Sequence, residues 1–475
     1  MSTLKAYWLK KIGKHRGAPR IWLDMPRLAE AGLAPGARFD LDVVPHGIRI
    51  RASDSGTRCV SAKTLKSGVQ LPVIDINSKE SLSPFDGHGH VRVIVRSDAV
   101  YVLLLASELA TLERAARLQT KLASGQPLKV ASLSHGVGVL SFAAHEGLSD
   151  SGLRCELATF NEIHEGYATQ SVQANPASAA AVPLCAPMQE LIQDTWVLDK
   201  LPKVEVMELG LPCSGASIAG KSKLGLAKME DHPHVGHLVH AALVLIARLQ
   251  PAALVLENVE EYAKSASAQL LRHQLADMGY RIEEFVLKAR DFGALENRVR
   301  WALVALSDGV PSLGSVEPNE APGKPAKVLG DLLDPVPLDS PSWSPMNYLR
   351  DKEARDRAAG KGFAMQVVTP ASTSVPTIRK QYNKGGSTDP YVQHPERPEL
   401  MRKFTPAEHA RIKGVPATLV ESMSATAAHE ALGQGIVVAP FRALFRRLGE
   451  CLQRIGAPDF TLRPVWASED GAATG

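Results

Sequence analysis

Leu211-Pro212-Cys213-Ser214-Gly215 directly follows the apolar run VEVMELGL. A short apolar run closed by a proline reads as a buried strand, and the carboxyl ends of parallel strands are where open α/β sheets bind their ligands. Cys213 therefore stands where a nucleophile is useful, although a cysteine there is also a small apolar residue that packs well. Forty-four residues on, Glu257-Asn258-Val259 ends a second apolar run, AALVLENV at 252–259, and brings a carboxylate to the same edge. A third segment, Glu296-Asn297-Arg298-Val299-Arg300, alternates so that Arg298 and Arg300 share one face while Val299 and the residues after it enter the core. Two neighbouring guanidiniums suit an anion or the edge of a polar ring. A thiol, a carboxylate and two arginines together supply a nucleophile and a means of stabilising negative charge that develops after attack.

These residues need a scaffold. From Lys129 to about Ser307, strand-like runs alternate with helical stretches, which implies a doubly wound α/β sheet. Gly136-Val137-Gly138 follows the strand from Lys129 to Leu133, and its glycines let backbone approach a ligand. Asn161-Glu162-Ile163 ends the next strand. Eight prolines between 308 and 345 leave little room for regular ladders, so an irregular insert runs from 308 to about 400. Near the end, Phe441, Leu444, Phe445, Leu448, Cys451, Leu452 and Ile455 form one stripe of an amphipathic helix.

Residues 1–105 carry short alternating runs separated by Gly and Pro, the pattern of a small β-rich domain. An internal repeat appears at an offset of 52 residues: Arg20 to Asp24 falls on Pro72 to Ile76, and RFDLDVVPHGIRI falls on HVRVIVRSDAVYV, so two halves are expected to pack as a pseudo-dimer. The stretch from Arg20 to Gly36, R-I-W-L-D-x-x-x-L-x-x-x-G-L-x-P-G, resembles the swapped-hairpin, AbrB-like DNA-binding proteins. Lys5, Lys10, Lys11, Lys14, Arg16 and Arg20 precede any acidic side chain, which suits phosphate contacts as well as a solvated tail. The pattern at 106–127 reads as a connecting helix.

Composition narrows the class. The chain has 475 residues, 45% hydrophobic and 22% charged, enough for two or three packed domains. A net charge of +4 permits a polyanionic partner without requiring one. Five scattered cysteines with no C-x-x-C pair argue against a disulfide framework and a structural zinc site, and favour a reducing compartment. The first residues lack the apolar core of a signal peptide, and the most apolar run, Leu238 to Leu256, is interrupted by Arg248, Gln250 and Pro251, so a cytoplasmic protein with no membrane partner is expected.

In this order and spacing, P-C-S-G at 212–215, E-N-V at 257–259 and E-N-R-V-R at 296–300 resemble the DNA cytosine-5 methyltransferase family. RKFTPAEHARIKGVP at 402–416 is similar to the family's R-x-L-T-x-x-E-x-x-R-x-x-G-F-P segment and ALGQGIVVAP at 431–440 to its last motif, so the likeness covers about 128–456. The resemblance implies a Rossmann-like catalytic domain at 128–307, a target-recognition insert at 308–400, a return to the catalytic domain with a C-terminal helix at 401–460, and a tail at 461–475. It implies methyl transfer from S-adenosylmethionine to carbon 5 of a flipped-out cytosine in double-stranded DNA, through a covalent cysteine adduct.

By the same resemblance Cys213 attacks carbon 6, Glu257 contacts ring nitrogen 3 and the exocyclic amine, and Arg298 and Arg300 hold the pyrimidine oxygen and the cysteine loop. Leu133, Gly136, Val137, Gly138, Glu162, Ile163, Pro212 and Gln434 would surround the donor; Ser217, Lys221 and Lys223 after Cys213, with Arg379 and Lys380 of the insert, would meet DNA. A cognate restriction endonuclease, and a place at the nucleoid of a bacterial or phage-infected cell, follow as expectations.

The match departs from the family pattern around the donor. Ser134 replaces a phenylalanine, Ser132 the common aspartate, and Ala186-Pro187-Met188 falls where an aspartate accepts from adenine. Gln434, Glu296 and Ser214 also differ from the usual asparagine, glutamine and glutamine. These changes keep three alternatives open: a transfer-RNA cytosine-5 methyltransferase, a transferase using a modified S-adenosyl donor, and a non-catalytic DNA-binding regulator.

Overall fold

The computed structural model describes residues 2–15, 17–213, 215–216, 225–318 and 328–456. The chain divides into a first unit up to Glu113 and a second from Arg114 onward.

The second unit is built on seven strands: β1 (Leu128–Leu133), β2 (Cys155–Asn161), β3 (Val182–Leu184), β4 (Val206–Leu209), β5 (Ala253–Asn258), β6 (Tyr280–Lys288) and β7 (Val299–Ser307), in the order β3-β2-β1-β4-β5-β7-β6. The first five run parallel, whereas β7 is antiparallel to both β5 and β6. A short turn at Ala289–Phe292 joins β6 to β7, a connection only an antiparallel pair allows. Neighbouring residues on each strand enter opposite cores: Val206 and Val255 face one, Met207 and Leu256 the other. Both faces of the sheet are buried, so its strands read as continuous apolar runs.

The helices that close the faces are α1 (Val139–Asp150), α2 (Glu165–Ala174), α3 (Leu238–Leu249), α4 (Ala266–Asp277), α5 (Pro406–Lys413), α6 (Ala425–Gln434) and α7 (Val438–Gln453). The apolar stripe of α7 packs on α1 so closely that a Cβ on Gly147 would lie 2.7 Å from Phe445 Cβ. Helix α5 begins with a capping box in which Thr405 Oγ1 accepts from the Glu408 N–H at 3.1 Å and Glu408 accepts from the Thr405 N–H at 2.8 Å. The box fixes where α5 starts and so where its last residue, Lys413, becomes buried.

Strand order reverses between β1 and β4, leaving a crevice at their carboxyl ends. The glycine loop leaves β1 there and the Pro-Cys turn leaves β4. The stretch expected as an irregular insert is less irregular than its prolines imply: it carries a helix, Asn347–Ala358, and two strands, Gln366–Val368 and Pro390–Gln393, which form a sheet with Met401–Arg402 just beyond it, over a small core containing Val375, Ile378 and Tyr382.

The first unit has two antiparallel sheets. One runs in the order Leu4–Lys11, His90–Arg96, Val100–Leu104, Gly47–Ala52, Arg38–Val44, Arg58–Cys59; the other is Gly13–His15, Ala18–Leu23, Gln70–Ile76, Ser61–Thr64. The 52-residue repeat reappears in the pairing. Ile50 faces Val100 and Ile48 faces Val102, and moving one member forward and the other back by 52 exchanges these pairs. Trp22 with Asp75 and Leu23 with Ile74 obey the same rule. Several early cations are matched by acids: Lys10 by Asp24 at 3.3 Å, Arg20 by Asp75 at 2.7 Å and Lys5 by Glu30 at 3.9 Å. Lys11, Lys14, Lys63 and Lys66 stand exposed, two pairs again 52 apart, and Lys63 also reaches Asp24 at 3.3 Å. Among the described residues no helix is long and apolar enough to cross a membrane.

Candidate active site

After β1, Ser134, Gly136 and Gly138 take left-handed conformations, with φ of 55°, 61° and 80°. A Cβ on Gly138 would overlap Asn175 Nδ2 and sit 2.7 Å from His135 Nε2, so no larger residue fits. Gly136 faces open space. At the end of β2, Glu162 accepts from the Gly136 N–H at 2.7 Å and from the His164 N–H at 2.9 Å, which ties the loop to the neighbouring strand. Ile163, next to it, is 60% exposed and opens on a groove of about 590 Å³ that Pro183 and Cys185 also line. Leu133 and Val137 are buried. Gln434 is exposed at the end of α6, where Gly435 meets Val139 at the start of α1. The glycine loop, Glu162 and the last motif therefore converge. Asn161 donates to the carbonyls of Leu184 and Ala186 at 2.9 and 2.7 Å, which fixes the Ala186-Pro187 segment beside them.

A buried polar network underlies the loop. His135 Nδ1 lies 2.8 Å from Ser132 Oγ and Nε2 lies 2.8 Å from Ser171 Oγ, while the ring stacks on Phe160 at 4.2 Å. Burial holds the imidazole down at about 3, so it is neutral. Glu208, in the middle of β4, accepts from Ser141, and burial pushes its carboxyl up to about 7 against the hydrogen bonds from Ser132 and Ser141. Neither His135 nor Glu208 was anticipated from the sequence. The available signal was a glutamate inside an apolar strand, where an unpaired charge is costly.

The cysteine edge is held from β5. Asn258 Nδ2 donates to the Leu211 carbonyl at 3.0 Å and fixes the turn that carries Pro212 and Cys213; this positioning role was missed, although Asn258 lay within a quoted motif. Glu257, one residue before, receives Arg300 Nε at 2.6 Å. Arg298 is buried just ahead of β7, donates to the Gly433 carbonyl at 3.1 Å and lies 3.5 Å from Glu296. Burial, and then Arg300 beside it, pull its guanidinium down to about 10. The Cys213 thiol is partly buried. Desolvation and the Glu257 carboxylate raise it above the usual thiol range, against Arg300 and Arg298, which lower it. The arginines act in the expected direction, and burial outweighs them.

The structure thus brings Cys213, Glu257, Arg298 and Arg300 together. Arg379 of the insert is engaged by buried Asp389 at 2.9 Å, while Lys380 is exposed. The backbone of that pair lies against Gly433, whose Cβ would come 2.5 Å from Lys380 N. Ser217, Lys221 and Lys223 lie outside the described residues.

Residues 130–450 match the C-5 cytosine-specific DNA methylase family. Type II methyltransferase M.NlaX of Neisseria lactamica is 29% identical over 335 residues, 69% of this chain and 98% of the relative. Type II methyltransferase M.HpaII of Haemophilus parainfluenzae is 26% identical over 53% of this chain and 73% of its own. The crystal structure of the S. pombe Dnmt2 methyltransferase superposes with a TM-score of 0.52 at 17% identity, over 67% of this chain and 96% of that one, a likeness of fold. The chain belongs to the C-5 cytosine-specific DNA methylase family: it is an enzyme that transfers a methyl group from S-adenosylmethionine to carbon 5 of cytosine in DNA by way of a covalent cysteine adduct.

Proposed function

We propose that Cys213 is the nucleophile of this methyltransferase and that Glu257, Arg298 and Arg300 complete the site. The observation that carries the assignment is the 2.6 Å contact of Arg300 with Glu257 at the strand edge that also holds Cys213. Carbon 5 of cytosine is a poor nucleophile until carbon 6 is attacked. Cys213 gives up its proton to a base and its sulfur bonds carbon 6. The electron pair displaced from the carbon 5–carbon 6 double bond spreads onto nitrogen 3 and the oxygen, where Glu257 shares a proton with nitrogen 3 and accepts from the exocyclic amine and the arginines hold the oxygen. Carbon 5, now nucleophilic, takes the methyl group; a base removes the proton left on carbon 5, and re-forming the double bond expels Cys213 as its thiolate. The target base leaves the duplex to reach this recessed edge.

The residues around the glycine loop fit the donor, which when bound supplies an electrophilic methyl on a sulfonium. Gly136 leaves backbone open, Glu162 retains lone pairs for ribose hydroxyls beyond its two backbone bonds, and Ile163 offers an apolar wall. Leu133, Val137, Gly138, Pro212 and Gln434 complete the set. The place of the family's phenylalanine is taken by Ser134, so the adenine loses a stacking partner.

Duplex DNA is read by the insert, with Lys380 exposed and Arg379 oriented by Asp389, and by Ser217, Lys221 and Lys223. The first unit adds phosphate contacts. Residues 1–113 hold sixteen Lys and Arg against eleven Asp and Glu, a net of +5, while the rest of the chain sums to −1, so the positive excess arises there. The relatives' names as type II methyltransferases support a role opposite a cognate restriction endonuclease, in the cytoplasm and at the nucleoid. The match to DNA methylases favours this reading over a transfer-RNA substrate or a non-catalytic regulator.

The test is mass spectrometry of nucleosides from the DNA of cells expressing the protein or its Cys213→Ala variant. A cysteine-dependent 5-methylcytosine peak is expected. Unmodified DNA overturns the proposal, and a heavier modified cytosine replaces the donor.

A further inference from the structure

Behind Arg298 lies a second buried ion pair that the reaction as described does not use. Lys413, the last residue of α5, is fully buried, and its Nζ lies 2.9 and 2.8 Å from the two carboxylate oxygens of Glu296. Glu296 is also fully buried. One oxygen accepts from the Ile378 N–H of the insert at 3.2 Å, and the same oxygen lies 3.5 Å from Arg298 Nη1. The chain Lys413, Glu296, Arg298 ends at the guanidinium whose charge is felt by Cys213.

Such a pair is poorly explained by stability. Two buried charges lose hydration that their mutual attraction only partly offsets, and neutral side chains of the same size make the same hydrogen bonds. Its effect on charge is more specific. With Lys413 protonated, Arg298, Arg300, Lys413, Glu296 and Glu257 sum to +1; with Lys413 neutral they sum to zero. A thiolate at Cys213 is balanced only in the first case.

We propose that Lys413 and Glu296 are positioning residues that act through Arg298 to set the ionisation of Cys213, two hundred residues earlier in the chain. A proton on the buried lysine favours the thiolate, and loss of that proton disfavours it, so the two groups titrate as a coupled set. Among the described residues the charged groups facing Lys413 are Glu296 and Arg298 from the segment before β7, and Arg300 from β7, and each takes part. His409, one turn earlier on α5, faces His429 of α6 at 2.9 Å; burial keeps both imidazoles well below their ordinary value, so neither adds charge near neutrality. Burial, with Arg298 beside it, brings Lys413 itself down to about 7, where both of its forms are accessible.

The inference rests on Cys213 as the nucleophile, but its test does not. In the full-length protein, iodoacetamide alkylation of the Cys213 peptide, followed by mass spectrometry across pH, reads the thiol's midpoint whether or not methyl transfer occurs. In the wild type Lys413 discharges before the thiol titrates, so the sum at the thiol's midpoint is zero. Glu296→Gln raises that sum to +1 and should lower the midpoint by about one pH unit, roughly tenfold more thiolate at a pH below it. Lys413→Arg, a cation that does not discharge, also gives +1 and should lower the midpoint by a similar amount. Lys413→Gln leaves the sum at zero and should leave the midpoint where it is in the wild type, whereas the double variant, at +1, should lower it. The acid limb of the kcat profile should move with each midpoint. Loss of packing alone does not sort the variants by charge in this way. A midpoint that stays put or rises in Glu296→Gln or Lys413→Arg, or one that falls in Lys413→Gln, overturns the proposal. Should Lys413→Gln fail to fold, the double variant and Lys413→Arg decide it: an unmoved or raised midpoint in either one overturns it.

Discussion

Arg300 Nε lies 2.6 Å from Glu257 Oε1, so the carboxylate assigned to the cytosine ring is oriented by an arginine two residues beyond the buried Arg298. The pair joins β5 to β7 across their antiparallel ladder, in which Glu257 faces Ala302. Glu257→Gln keeps the shape but loses the charge that holds Arg300 and exchanges one of the two carboxylate oxygens for an amide donor. It should lower the methyl-transfer kcat by about a hundredfold or more while changing DNA affinity little. Single-turnover kinetics with a cognate duplex measures this.

Gly138→Ala places a methyl group against Asn175 and His135 at a φ of 80°. Both the overlap and the left-handed backbone oppose it, at a cost of about 1–3 kcal/mol. The loop is expected to shift, raising KM for S-adenosylmethionine more than it lowers kcat. Thermal melts and donor titrations together check the prediction.

Glu208 gives a pH dependence whose sign is fixed. Its folded carboxyl is raised from 4.5 to about 7 by burial, so the folded state keeps a proton that the unfolded state has released between those values. The stability it contributes is present in full below 4.5 and is lost as pH rises through about 7, for a total of about 3 kcal/mol. Glu208→Gln cannot ionise. It should melt close to wild type at pH 4.5 and several degrees higher at pH 8, which calorimetry at the two pH values reads.

Replacing Lys11, Lys14, Lys63 and Lys66 by alanine removes exposed cations from both halves of the first unit. If each meets a phosphate, the slope of log affinity against log salt becomes shallower by up to about 0.9 per lysine. Fluorescence anisotropy with a labelled duplex at several salt concentrations measures it; an unchanged slope removes the first unit from the DNA interface. Methyl transfer at saturating DNA should persist.

Much of the scaffold was legible because its physics is local. Runs such as VEVMELGL and AALVLENV are apolar because both faces of their strands are covered, and the chemistry-bearing residues follow them directly. The repeat in the first unit was likewise written in a short pattern. What escaped was charge pairing at long range. Lys413 and Glu296 are 117 residues apart, and Ser132, His135, Ser171 and Glu208 meet only when two strands, the glycine loop and a helix have packed. Arg379 was expected to meet DNA, and its pairing with Asp389, ten residues later, depends on the turn at Tyr382–Lys384.

In the first unit, Ala18–Leu23 finds its partner in Gln70–Ile76, and Gly47–Ala52 finds its partner in Val100–Leu104. Each repeat thus leaves strands whose hydrogen bonds only the other repeat completes. Were the halves separate molecules, their pairing would weaken on dilution; covalently joined, they face one another at an effective concentration that does not depend on how many copies the cell holds. The same linkage frees the two halves to accumulate different surface residues. A symmetric frame can thereby present an asymmetric face, which two identical subunits cannot do.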